Sequence, residues 1–136
     1  MRTVGRRRVA IGLLVAYLGV WTVNRAQVRV AGWSMAPTLW PDDSLLTVPV
    51  PRRLVTRLLR AGHVVVVAAP DAPPGRDHLV VKRITALGAD GITVRGDDPA
   101  HSTDSRTWGP LPPTAIRAVV LARWPDLRTP LHHAGR

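Results

Sequence analysis

The 136-residue chain has no cysteine, no glutamate and a single lysine. Without cysteine, disulfides, thiol nucleophiles and Cys-bound zinc are excluded. Without glutamate, a paired-Glu or Glu-plus-water mechanism is excluded, and nine Asp are the only acidic side chains. Positive charge is carried by 18 Arg and one Lys, for a formal net charge of +10. Such a chain suits anionic lipid or nucleic acid. The arginines are scattered rather than clustered around aromatics, and no nucleic-acid motif is present, so no nucleic-acid partner is expected.

The lone lysine stands out against that arginine bias. Lys82 follows the apolar run His78-Leu79-Val80-Val81 and precedes Ile84. An apolar setting disfavours the charged amine and lowers its pKa, which makes lysine a usable base. Arginine cannot serve this way, because its guanidinium stays protonated. A hydroxyl that needs such a base lies in the Gly/Pro-bracketed turn Gly32-Trp33-Ser34-Met35-Ala36-Pro37-Thr38. The histidines offer no better base. His132 and His133 lie in a tail, His63 and His78 begin apolar runs, and His101 sits in a turn beside Ser102.

Ser-Met-Ala-Pro-Thr at 34–38, Val-Val-Lys-Arg-Ile at 80–84 and the loop Gly96-Asp97-Asp98-Pro99-Ala100-His101-Ser102-Thr103-Asp104-Ser105-Arg106 occur in an order that resembles the type I signal peptidase family of membrane-bound Ser/Lys proteases. The resemblance runs from about Val28 to Trp124. The compact length is most similar to the small members, the mitochondrial inner-membrane peptidases and nickel superoxide dismutase maturation proteases. It implies Ser34 as nucleophile, with its backbone N–H as half of the oxyanion hole, and Lys82 as general base. Ser102 would orient the Lys82 amine, and Asp104 and Arg106 would form a structural ion pair. Met35 would pack beneath the substrate, and Pro37-Thr38 would fix the turn. Val28, Val30, Leu39 and Val81 would line shallow pockets that select Ala or Gly before the cut. Two positions depart from the pattern. Gly32 lacks the hydroxyl that many bacterial members use as a second oxyanion donor, and Asp98 replaces the usual Asn.

Along the chain, residues 1–8 are Arg-rich and Val9–Val23 is apolar apart from Thr22. We read residues 9–24 as a transmembrane anchor, with Tyr17 and Trp21 at the outer interface, rather than a cleaved leader. The Arg-rich start then stays cytoplasmic and the remainder lies outside the cell membrane. Residues 25–126 form the peptidase domain and 127–136 a loose tail. Strands are expected at Gln27–Ala31, Leu45–Val48, Val64–Ala69 (buried on both faces), Leu79–Leu87, Ile92–Arg95 and Ala115–Trp124. Asp90-Gly91 suggests a hairpin turn. Arg52–Arg60 reads as a short amphipathic helix, with Leu54, Val55, Leu58 and Leu59 on one side and Arg53, Arg57 and Arg60 on another. It either packs on the sheet or rests on a membrane surface. The Asp-rich loop lacks the spacing and closing Glu of a Ca²⁺ hand, so neither a metal nor another cofactor is expected.

The expected fold is a small, mainly β, antiparallel domain behind one N-terminal transmembrane helix. The expected activity is removal of signal or pro-peptides from exported preproteins bound as an extended added strand. Two other readings fit less of the chain: a self-cleaving repressor-type Ser/Lys protease, which lacks its DNA-binding segment here, and a non-catalytic membrane-tethered β module that binds a protein partner.

Overall fold

A computed structural model describes residues 3–23 and 28–124, with side chains over 7–17 and 28–124. The predicted tail at 127–136, the ends of the anchor and domain at Asn24, Arg25 and Asp126, and the side chain of Trp21 lie outside the described residues. The elements are α1 (Thr3–Val23), β1 (Val28–Arg29), β2 (Ser44–Pro49), α2 (Arg52–Leu58), β3 (Val64–Ala68), β4 (Leu79–Gly88), β5 (Gly91–Arg95), α3 (Ser105–Trp108) and β6 (Ile116–Trp124), with 3-10 turns at Pro99–His101 and Pro113–Ala115.

The strands form one antiparallel sheet in the order β1-β2-β6-β3-β4-β5. Successive residues of a strand face opposite sides, so the unbroken valines of β3 feed two cores. Val64 and Val66 join Val30, Met35, Leu39, Leu45, Val81, Ala118 and Val120. Val65 and Val67 join Val50, Val55, Leu59, Ile84, Ile92, Val94, Leu111 and Ile116. This matches the continuous apolar run read as a strand buried on both faces.

Three local expectations change. Of the strand predicted over Gln27–Ala31, Val28–Arg29 is regular and Val30 and Ala31 are not, while Gln27 lies outside the described residues. Beyond it, Val30 accepts the Asp42 N–H at 2.8 Å and donates its own N–H to the Asp43 carbonyl at 3.0 Å, and Asp42 adopts φ 72° to close the loop. The β4–β5 turn is Ala89-Asp90, one residue earlier than Asp90-Gly91. Gly91 instead opens β5 at φ 128°, where a Cβ would stand 2.6 Å from the Leu111 carbonyl oxygen. In α2, Val55 and Leu59 are buried, but Leu54 and Leu58 are 37% and 57% exposed.

α1 also departs from expectation. It has 21 residues and is helical from Thr3, yet no helix among the described residues is long and apolar enough to cross a membrane. Arg6, Arg7 and Arg8 occupy its early turns and leave a 15-residue apolar stretch. At 1.5 Å per residue that spans about 22 Å, against about 30 Å of bilayer hydrocarbon.

The two cores and the exposed α2 leucines give opposite mutational expectations. Ile84→Ala, at a position 1% exposed, should cost about 2–5 kcal/mol in urea unfolding. Leu58→Ala should change stability by less than about 0.5 kcal/mol.

Candidate active site

Lys82 sits mid-strand in β4, opposite Val65 of β3. It shares a sheet face with Val80 and Ile84 and is 3% exposed. Burial lowers its pKa from the ordinary lysine value; Asp104 opposes that shift and Arg106 reinforces it. The amine donates to Ser102 Oγ at 3.0 Å. Ser102 Oγ in turn donates to Asp104 Oδ2 at 2.7 Å and accepts the Gly96 N–H at 3.2 Å. A hydroxyl has one proton and two lone pairs. With the proton committed to Asp104, Ser102 can only accept from Lys82.

Asp104 is wholly buried. Burial alone would favour its neutral form, but Arg106 Nε (2.9 Å), a second Arg106 nitrogen (2.8 Å), the Gly96 N–H (3.0 Å), Ser102 and the Arg106 N–H (3.1 Å) all donate to it. Its pKa is held well below the usual carboxylate range. The same carboxylate caps α3, so a four-residue helix is enough to fix the pair.

Ser34 lies in the turn that follows β1. Its carbonyl accepts the Asp98 N–H at 2.9 Å, and the Ala36-Pro37 peptide bond within the turn is cis. Met35 and Leu39 have no exposed surface and belong to the first core cluster. They hold the turn down and are not among the residues that line the groove. Thr38 Oγ1 donates to Asp97 Oδ2 at 2.6 Å, and Arg83 grips the same carboxylate through two bonds of 2.8 and 2.7 Å while also donating to the Gly62 carbonyl at 2.8 Å.

Gly96 is where the Ser34 turn and the Ser102 loop meet. The β4–β5 register pairs Arg83 with Arg95, which brings Gly96 alongside Lys82. A Cβ on Gly96 would collide with Ser102 Oγ and stand 2.5 Å from both Ser102 Cβ and the Ser34 carbonyl oxygen. The Ser34 turn and the Ser102 side chain therefore close on one another across a residue without a side chain.

Ser34 and Lys82 line one groove of about 270 Å³, together with Val28, Val30, Val81, Gly32, His101 and Trp108. Asp98 N-caps the turn at 99–101, accepting from the Ala100 N–H and engaging His101 Nδ1 at 2.7 Å. The carboxylates of Asp97, Asp98 and Asp104 are thus each taken up by protein donors. Reading the sequence did not single out Arg83, Asp97 as its partner, or Gly96. Arg83 was legible in principle, because strand alternation sends the neighbour of Lys82 to the other face, where the Ser34 turn packs.

One strand-lined groove thus contains the serine of the turn and a buried, hydrogen-bonded lysine. The family described as "Signal peptidase, peptidase S26" matches residues 3–98, and the chain belongs to that family of serine peptidases. It is 34% identical over 114 residues to mitochondrial inner membrane protease subunit 1 of Schizosaccharomyces pombe, covering 70% of this chain and 71% of that one. It is 28% identical over 116 residues to the protein of the same name from Xenopus tropicalis, covering 72% and 68%. No solved structure matches the chain.

The two glycines of the site should respond differently. Gly96→Ala must displace Ser102 or the Ser34 carbonyl, so it should cost about 1–3 kcal/mol in urea unfolding. Gly32→Ala places its methyl in open space and should shift stability by less than about 0.5 kcal/mol.

Proposed function

We propose that this chain is a serine endopeptidase that removes signal or pro-peptides from exported preproteins, with Ser34 as nucleophile and Lys82 as general base. The observation that carries the reading is the bonding at Ser102. Because that hydroxyl only accepts from Lys82, it holds the amine by an N–H and leaves the lone pair of the neutral amine for a second partner in the groove, where Ser34 lies.

The substrate lies extended against Val28, Val30 and Val81, and its backbone adds to the strand pattern. Neutral Lys82 takes the Ser34 proton as Oγ attacks the scissile carbonyl. The tetrahedral oxyanion faces the Ser34 N–H. The C–N bond breaks, and the leaving amine takes the proton from Lys82. A water then gives its proton to Lys82 and attacks the acyl ester, releasing the new carboxyl end and restoring Ser34. Catalytic hydrogen bonds commonly tighten only when substrate binds, and the tether from the Ser34 carbonyl to Asp98 keeps the turn beside Gly96 as they do.

Membrane attachment belongs to this proposal. Val9, Ile11, Leu13, Leu14, Val15 and Tyr17 of α1 are each more than half exposed. A helix apolar on all sides needs an apolar cover, and the relatives are named as inner membrane proteases. In this reading α1 enters the bilayer, its arginines reach the headgroups, and the β domain works on the extracytoplasmic side.

Ser34→Ala and Lys82→Arg should each reduce cleavage of a preprotein by at least about 10³-fold with the fold intact; retained activity in either variant removes the assignment. Because burial lowers the Lys82 pKa, the neutral base is populated above a pH that lies below the ordinary lysine range. The rate should therefore rise with pH through that value and level off, and a flat profile would rule out a lysine base. Gly32→Ser has room for its hydroxyl and should raise kcat about tenfold or more if it supplies the absent oxyanion donor. An unchanged kcat would show that another group already fills that role.

A further inference from the structure

The sheet leaves one apolar face partly bare. On that face of β6, Val119 and Leu121 run beside Val48 of β2, which pairs directly with Val119. α2 covers part of it with Val55 and Leu59, while Leu54, Leu58, Val48 and Leu121 stay 37–57% exposed. Together with Pro49 and Pro51 they line a shallow depression of about 320 Å³. At 100° per residue, the Leu54/Leu58 row of α2 lies next to the inward Val55/Leu59 row, and the Arg53/Arg57 row comes next, pointing outward.

The charge around this depression has one sign. From Ser44 to Pro70 the sequence contains Arg52, Arg53, Arg57 and Arg60 and no acidic residue. Among the described residues, none of these four guanidinium groups is in an ion pair. An apolar row and a basic row side by side are the arrangement of a helix lying in a bilayer interface, with leucines among the acyl chains and arginines at anionic headgroups. β2 also contacts α1, the helix whose apolar side chains are exposed.

We infer that the α2 face, formed by Leu54, Leu58, Val48 and Leu121 and rimmed by Arg53, Arg57 and Arg60, is a second membrane-docking surface that engages anionic lipid. It is a contact additional to α1 and sets how the domain leans on the bilayer. The inference uses neither Ser34 nor Lys82, so the fate of the peptidase assignment does not bear on it.

The native absence of cysteine makes the test clean. Full-length chain carrying Leu58→Cys, labelled with a polarity-sensitive fluorophore, is reconstituted into vesicles of phosphatidylcholine alone or of equal phosphatidylcholine and phosphatidylglycerol, both with a lipid-borne quencher. Leu121→Cys serves as a second reporter, and Ala89→Cys, at the far edge of the sheet, as the water-exposed reference. The labels at 58 and 121 should shift to the blue and be quenched in the anionic vesicles, while the label at 89 is not. Each of Arg53→Gln, Arg57→Gln and Arg60→Gln should weaken the docking equilibrium roughly fivefold. Labels at 58 and 121 as wet as that at 89 in both vesicles would overturn the inference. So would quenching that is equal in both lipids and indifferent to the Arg→Gln changes. Shielding that appears in detergent without lipid would assign the face to a second copy or a protein partner instead, and would also overturn it.

Discussion

The site depends on holding one buried amine, its pKa lowered by desolvation, in a place that also holds a carboxylate. Lys82 and Asp104 both touch Ser102, and an unpaired carboxylate there would raise the lysine pKa. Arg106 opposes this by taking both Asp104 oxygens, so that the pair presents less net charge to the amine. Burial then sets the direction of the Lys82 shift. The ion pair thus acts on Lys82 indirectly: it positions Ser102 through Asp104 and leaves the strand environment of Val80, Ile84 and Val65 to do the desolvating.

A second ion pair performs the mechanical half of the task on the other side of β4. Arg83 and Asp97 tie Thr38, and with it the Ser34 turn, to the loop that carries Ser102. Adjacent residues of one strand therefore hold the two halves of the site, Lys82 chemically and Arg83 structurally. They can do so because alternation sends them to opposite faces and because Gly96, beside Lys82 in the register, lets the chain pass between them. Met35 and Leu39 complete the arrangement by burying the turn in the core, which gives Ser34 a rigid support without placing bulky side chains in the groove.

The exposed surfaces have the same logic as the core. Apolar side chains left on α1 and on the α2 face are expensive in water unless something covers them. In both places arginines stand next to the apolar row, which is the pattern an anionic interface accommodates. A small domain that works beside a bilayer gains orientation from such contacts as well as attachment.

Much of this was readable from residue order alone. The lone Lys82 in an apolar run, the Gly/Pro-bracketed Ser34 and the Ser-x-Asp-Ser-Arg loop pointed to the family, because its motifs are constrained by residue type and order. The doubly buried β3 was legible because four consecutive valines have no polar face to turn outward. Tertiary structure decided what depends on distance. It separated Met35 and Leu39 from the groove and Leu54 and Leu58 from the core, paired Arg83 with Asp97 and Thr38, and made Gly96 the point where Ser34 and Ser102 converge. Periodicity reports which side a residue faces, but only packing decides whether another element is there to meet it.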